Sequence, residues 1–420
     1  MIRMKIKNIF TTLCLLAGIH ASGQLPQKYD SLYKRIYLED AINLIRNDPN
    51  ILVLDVRSPG EYADSGKSLS LNLGRLAGAK NIPIDSIKSQ LKTLEPYRDK
   101  KILVYCSHSQ RSRRVSKYLT ENGFTSVYNV NGGMSLLNEL SASALPGKSA
   151  VYSSNLPFHW IQSEDAFDLI RDHNNLIVDL RPESEYSNAD PEGCNNIGRI
   201  AGALNIPADQ LDGRIASILS HKDRPVLLYD MDGSKSPKAA LALTSAGFLQ
   251  VFILFQGLPA LIENTNSSSA LRMEIFEGLP GYKIVGAKEA IDLVSQKKKN
   301  LLIADLRPEN EFHNNSSTDY LNLGHLKDAI NIPSANLDSV LKNKPKTTPV
   351  LVYGSFAANM KMSGMPGSFD FTLICKHLVE EGYRNVYLLY NGLYAVVWGV
   401  FNIKSLQGGI SILSDHKGLY

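Results

Sequence analysis

At 420 residues the chain is too long for one ordinary hydrophobic core, and length alone suggests about three domains. A hydrophobic fraction of 44% with 20% charged residues describes a soluble globular protein and excludes a disordered or membrane-embedded one. The formal net charge is only +4.

The first segment reads in three parts: basic "MIRMKIK", apolar "IFTTLCLLAGI" and small "HASGQ". Its apolar stretch, Ile9 to Ile19, is 11 residues long, whereas crossing a bilayer takes about 20. Residues 1–23 are therefore expected to be a secretory signal peptide, cleaved near Gly23. Lipidation at Cys14 fits less well, because Thr12 and Leu13 stand where small residues belong. The mature chain is expected to be exported, either periplasmic or secreted. Cleavage removes Arg3, Lys5 and Lys7 and takes the charge from +4 to +1. Nothing then favours nucleic acid or an acidic membrane as partner. Cys14 leaves too, so Cys106, Cys194 and Cys375 remain. An odd number in an exported protein leaves a thiol unbridged, and Cys106 is the expected one.

Beyond residue 30 the chain repeats itself. "ILVLDVRSPGEY" at 51 recurs as "LIVDLRPESEY" at 176 and "LLIADLRPENEF" at 301. "LGRLAGAKNIP" at 73 recurs as "IGRIAGALNIP" at 197 and "LGHLKDAINIP" at 323. Both Asp55 to Asp179 and Asn81 to Asn205 span 124 positions, and both following intervals span 126. Shared spacing of two separated motifs establishes triplication. The copies are placed at 30–142, 158–264 and 282–402, with linkers near 141–160 and 263–283.

Each copy opens with a helix of amphipathic spacing: "LEDAINLIRN", "SEDAFDLIRD", "AKEAIDLVSQ". An apolar strand ending in Asp follows, then a polar loop and a second apolar strand, "KILVYC", "PVLLYD" or "PVLVYG". A helix ending at Gly123, Gly247 or Gly382 comes next. The last strand is "TSVYNV", "LQVFIL" or "RNVYLL". Strands alternating with helices predict an α/β fold, a parallel sheet with helices on both faces in each copy.

The second strand of copy one runs into "VYCSHSQRSRR". A structural cysteine is normally buried among hydrophobes and inert. Cys106 instead ends a strand and is followed by polar and cationic residues. A strand turning into a helix aims backbone N–H groups into the loop's concavity, and the helix dipole adds positive potential. Such a loop is expected to stabilise a thiolate and make it nucleophilic. Arg111 is expected to offer its fork to a sulfonate-like oxyanion, and His108 to add charge or a hydrogen bond. Arg113 and Arg114 are expected on a solvated helix face. Arg57, Arg181 and Arg307 recur whatever stands at the cysteine position. They are expected to be structural, pairing with Glu61, Glu185 and Glu311, while Asp55 anchors loops at the strand end.

The three motifs together, D-x-R-x-x-x-E-[FY], G-[HR]-[IL]-x-G-A-x-N-I-P and a strand-ending cysteine, resemble the rhodanese-like domain. The resemblance covers nearly the whole chain beyond residue 30. It implies that Cys106 takes a sulfane sulfur from a small anionic donor such as thiosulfate, holds it as a persulfide, and passes it to a thiol or cyanide-like acceptor. No cofactor or metal is implied. The family loop is often C-x-x-G-x-R-S, which maps Ser107, His108, Ser109, Gln110, Arg111 and Ser112 as substrate-binding positions around catalytic Cys106. Ser109 departs from the glycine. Asp55, Arg57 and Glu61 become structural residues near the site. Cysteine phosphatases use a similar cradle with Arg six positions after Cys, whereas here Arg111 stands at five. The shorter loop fits sulfur transfer better.

Copy two carries Asp230 at the cysteine position and Lys235 at that of Arg111, and copy three carries Gly354. Neither can form a persulfide. Copy three also carries an insertion, 355–371, with Met360, Met362 and Met365. Domains 2 and 3 are the candidate surface for a protein partner. Cys375 is expected to be buried and Cys194 exposed. A second reading, from another class, is a sulfur- or redox-sensing scaffold that binds without turnover.

Overall fold

A computed structural model describes residues 32–415, apart from 192, 267, 297–299, 333–336 and 357–370. The expected signal segment and most of the insertion, including its three methionines, lie outside the described residues.

The first helices form where the spacing places them, at Leu38–Asn47, Ser163–Arg171 and Ala287–Ser295. Each turns an apolar stripe inward: Leu38, Ala41 and Ile42 in the first, Ala290, Ile291 and Val294 in the third. Acidic residues occupy their first turns, where they complement the helix dipole. The strands Leu52–Asp55, Leu176–Asp179 and Leu302–Asp305 are buried along their length, which explains their continuous apolar runs.

Each copy builds a five-stranded, wholly parallel sheet. In copy one the spatial order is Lys34–Ile36, Val127–Val130, Ile102–Tyr105, Leu52–Asp55, Lys80–Asn81. The edge strands are two or three residues long, too short to show a period in sequence. Short edges also limit stray strand pairing.

The segments read as linkers are structured. After copy one, a helix at Lys148–Val151 leads into Tyr152–Ser153, which pairs antiparallel with Arg75–Leu76. Copy two repeats this with Phe276–Glu277 on Arg199–Ile200, and copy three with Leu413–Ser414 on His325–Leu326. Each copy is thus closed by its own following chain, because the two-residue strand inside it would otherwise leave ladder groups unpaired.

The recurring Arg does not pair with the recurring Glu. Arg57 binds Asp55 through Nε and Nη2, with Nη2–Oδ2 at 2.7 Å, and also donates to the Gly74 carbonyl at 2.7 Å. Arg181–Asp179 and Arg307–Asp305 repeat this geometry. The D-x-R spacing turns both side chains into one buried pocket beside Tyr105, Tyr229 or Tyr353. Burial tends to lower each guanidinium, but the aspartate outweighs it and raises it. Removing one partner of such a pair strands a buried charge and costs about 3–5 kcal/mol.

The copies share cores. One apolar cluster joins Leu103, Val130 and Met134 of copy one to Trp160, Val178 and Phe255 of copy two. Another joins Leu254 and Leu258 to Ile284 and Leu388 of copy three. Trp398 and Ile403 of copy three pack against the first cluster, so all three copies touch one another. Cys375 is fully buried, as expected. Cys194 is buried as well, against expectation: its turn, Gly193–Asn195, packs on the copy-three helix Phe371–Glu380.

Carboxyls meet at these seams. Burial raises Glu139 to about 7 against a hydrogen bond from Gln256 of copy two. Burial, with Glu139 and Glu289 nearby, raises Glu263 to about 8, and burial also raises Glu289. A carboxyl whose pKa lies above its usual 4.5 in the fold binds more protons folded than unfolded, so stability falls as pH rises through that window. Asp232, at about 6, and Glu185, at about 7, act in the same direction. The melting temperature should therefore drop by several degrees between about pH 5 and pH 8, and Glu263→Gln should flatten the profile. Equal melting temperatures at both ends would show that these carboxyls are not held protonated.

Candidate active site

The buried strand Ile102–Tyr105 delivers Cys106, which is 1% exposed, to the head of a short loop. The helix Gln110–Glu121 begins four positions later. Between them Ser109 adopts φ +72°, a left-handed conformation costing serine about 1 kcal/mol relative to glycine. The equivalent of Ser109 in copy two is Gly233, at φ +79°. A bond from Ser109 Oγ to the Val130 carbonyl, 3.1 Å, offsets part of that cost.

The back of the loop rests on the turn that opens the helix Gly133–Glu139. Met134 N–H donates to the Cys106 carbonyl and Ser135 N–H to the Ser107 carbonyl, each at 3.0 Å. Gly133, at φ +59°, allows this approach; a Cβ there would stand 2.2 Å from the Cys106 carbonyl oxygen. Ser135 Oγ lies 2.7 Å from His108 Nε2, so His108 braces the loop. With these carbonyls turned outward, the trans peptides turn the following N–H groups inward.

Copy two shows where those N–H groups point. The Asp230 carboxylate, at the cysteine position, accepts from the backbone N–H groups of Asp232 (2.8 Å), Gly233 (2.5 Å), Lys235 (2.9 Å) and Ser236 (2.8 Å). Ser236 Oγ adds a fifth bond at 2.7 Å. The carboxylate stands in for an anion at the end of the copy-one side chain. Its donors correspond to the amides of His108, Ser109, Arg111 and Ser112 and to the Ser112 hydroxyl. In copy one that hydroxyl lies 3.6 Å from Cys106 Sγ and 2.6 Å from Asn129 Oδ1.

Arg111 is engaged differently from the sequence expectation. Its fork binds Glu61, Nη1–Oε2 and Nη2–Oε1 both at 2.6 Å, and Nη2 also donates to Ser107 Oγ at 2.9 Å. Burial alone would raise Glu61, but Arg111 and Ser58 outweigh it and hold its carboxyl at about 2. Glu61 also closes a capping box with Ser58 on Pro59–Tyr62. The guanidinium is thus neutralised and locked rather than extended to an oxyanion. In copy two Lys235 makes no such fork, and burial raises Glu185 to about 7.

Gln110 and Arg114 are exposed, while Arg113 is buried against expectation, on the inward face with Ser112, Val115 and Ser116. Asp55 lies under the loop, committed to Arg57. In copy three a side chain at Gly354 would meet the ring of Phe371, with Cζ 2.2 Å from the added Cβ, so a thiol there would require that ring to move. Among the described residues no cluster of His, Cys, Asp or Glu is placed to hold a metal ion. Sequence reasoning missed Asn129, Ser135 and Asn131. Asn129 sits in the last strand, Asn131 directly after it and Ser135 in the helix that follows, each polar and buried among apolar residues, and that polarity was the available signal.

The rhodanese-like domain family matches the chain three times, at residues 38–139, 163–264 and 287–397. The tRNA uridine(34) hydroxylase of Escherichia fergusonii is 30% identical over 121 residues, 28% of this chain and 32% of that protein. Its counterpart in Cronobacter sakazakii is 28% identical over 138 residues, 32% of this chain and 34% of that protein. The chain spans about a third of the length of these relatives. Among solved structures, a rhodanese-related protein from Thermoplasma volcanium is 34% identical, covers 24% of this chain and 87% of its own, and has a TM-score of 0.20. A thiosulfate sulfurtransferase from Pseudomonas aeruginosa is 15% identical, covers 84% and 66%, and has a TM-score of 0.22.

Proposed function

Because the chain belongs to the rhodanese-like domain family, in three tandem copies, we propose that it is an exported sulfurtransferase with one active centre, Cys106. The thiolate attacks the outer, sulfane sulfur of a donor such as thiosulfate. The donor's S–S bond breaks and its electron pair leaves with sulfite. The persulfide anion on Cys106 then occupies the amide cradle until a thiol or cyanide-like acceptor attacks its terminal sulfur and releases the thiolate. No cofactor takes part in this scheme.

One observation carries the reading. Asp230, an anion at the matching position, is held by four backbone amides and one hydroxyl, so the loop is built to bind negative charge one side chain beyond the strand. Steady-state transfer from thiosulfate to cyanide by protein lacking residues 1–23 tests the proposal, with N-terminal sequencing of native material to test export. Absence of both thiocyanate and a mass gain would overturn the activity, and an intact Met1 would overturn export.

A sensing or scaffolding role without turnover is the second reading. It is favoured by a Cys106 that is 1% exposed and an Arg111 neutralised by Glu61. Stoichiometric sulfur loading without turnover would select it.

A further inference from the structure

The third copy has no thiol at the cradle position, where Gly354 stands, yet it reaches the catalytic loop of the first. Asn131 Nδ2 donates to the Phe401 carbonyl at 3.2 Å, and Gly132 N–H donates to Asn402 Oδ1 at 3.1 Å. Asn402 ends the long copy-three helix Gly392–Asn402, is 2% exposed, and is steadied by its own Nδ2 bond to the Trp398 carbonyl at 2.8 Å. On the exposed rim of the same seam Lys404 pairs with Asp40 at 2.9 Å.

The turn these bonds hold is the one on which the loop rests. Gly132 and Gly133 are both left-handed, at φ +73° and +59°. Two glycines in succession give a turn little conformational preference of its own. The next two amides, of Met134 and Ser135, hold the carbonyls of Cys106 and Ser107, and the Ser135 hydroxyl meets His108. A short path therefore runs from Asn402 by a hydrogen bond to Gly132, along the turn to Met134 and Ser135, and by their amides to the peptides that aim the cradle. In copy two the residue at the position of Gly132 is Gln256, also left-handed at φ +66°.

We propose that Asn402 of the third copy is a positioning residue for Cys106 of the first, supplying from outside the domain a constraint that a Gly-Gly turn lacks. The inference rests on the sulfur-transfer reading above and assigns the third copy a part in it. Misplacing a reacting group by about 1 Å costs up to about a hundredfold, so a relaxed turn should be visible in rate.

The full chain with Asn402→Leu keeps the shape of the side chain and loses the acceptor, whereas Asn402→Asp keeps an acceptor for Gly132 N–H. Persulfide loading from thiosulfate, iodoacetamide alkylation of Cys106, and amide exchange at Gly132, Met134 and Ser135 are measured together, with melting temperature as the control for folding. The expected result is loading about tenfold slower in Asn402→Leu, with faster exchange at those three amides and recovery in Asn402→Asp. Asn131→Ala, which removes the companion bond from the copy-one side, should move the same amides even if Asn402→Leu fails to fold. Unchanged exchange and loading in the leucine variant would overturn the proposal. So would an aspartate variant as impaired as leucine, with rates that simply follow melting temperature. Should the unaltered protein take up no sulfur at all, the transfer reading fails instead, and alkylation and exchange decide the role of Asn402 by the same criteria.

Discussion

Cys106→Ser should abolish sulfur transfer, with a rate loss of at least about a thousandfold, because a serine oxygen cannot carry a sulfane sulfur. The substitution is nearly isosteric at a site that is 1% exposed, so the melting temperature should stay within a few degrees. The prediction concerns the whole molecule, since copy two presents a carboxylate at this position and copy three a glycine crowded by the Phe371 ring. The unaltered protein should gain about 32 Da, one sulfur atom, after thiosulfate treatment. A serine variant that still gains that mass, or still turns over, would place the chemistry at Cys194 or Cys375. Both are buried.

Asp230→Cys, in the Cys106→Ser background, should remain below about a hundredth of the normal rate. The expectation runs against a first look at the backbone. Copy two already aims four amides and the Ser236 hydroxyl at position 230, and a thiolate would inherit them. What differs is the surrounding charge. Burial, together with the Asp230 charge, raises Asp232 to about 6, so at neutral pH much of it would face the new sulfur as an anion once Asp230 is gone. Glu185 lacks the fork that Arg111 gives Glu61, and its carboxyl sits at about 7. Negative neighbours disfavour a thiolate and repel an anionic donor. Converting Asp232 to His and Lys235 to Arg as well should restore part of the loading, since the new guanidinium finds Glu185 waiting. The single variant should also lose several degrees in melting temperature, because charge-assisted bonds to Asp230 are worth about 1.5–3 kcal/mol each before non-additivity. Full loading of the single variant, read by mass after thiosulfate, would show that the backbone cradle suffices.

Sequence by itself determined the triplication, the order of the main helices and the three central strands of each copy, and the position of the thiol. Those are local signals: a strand buried on both faces reads as an unbroken apolar run, and a helix packed on one face reads as "LEDAINLIRN". Even the absence of a thiol at the cradle position of copies two and three was legible, since it turns on the identity of one residue, Asp230 or Gly354. Tertiary structure alone decided the partners of the charges. Both Asp55 and Glu61 lie near Arg57 in sequence, and only the packed strand end selects Asp55, leaving Glu61 to meet Arg111 fifty positions away. The burial of Cys194 under a helix of copy three, and the reach of Asn402 across 270 positions to Gly132, likewise have no local trace. An amide or a carboxylate has the same propensities wherever it stands, and its role is set by the groups that close over it when the copies pack.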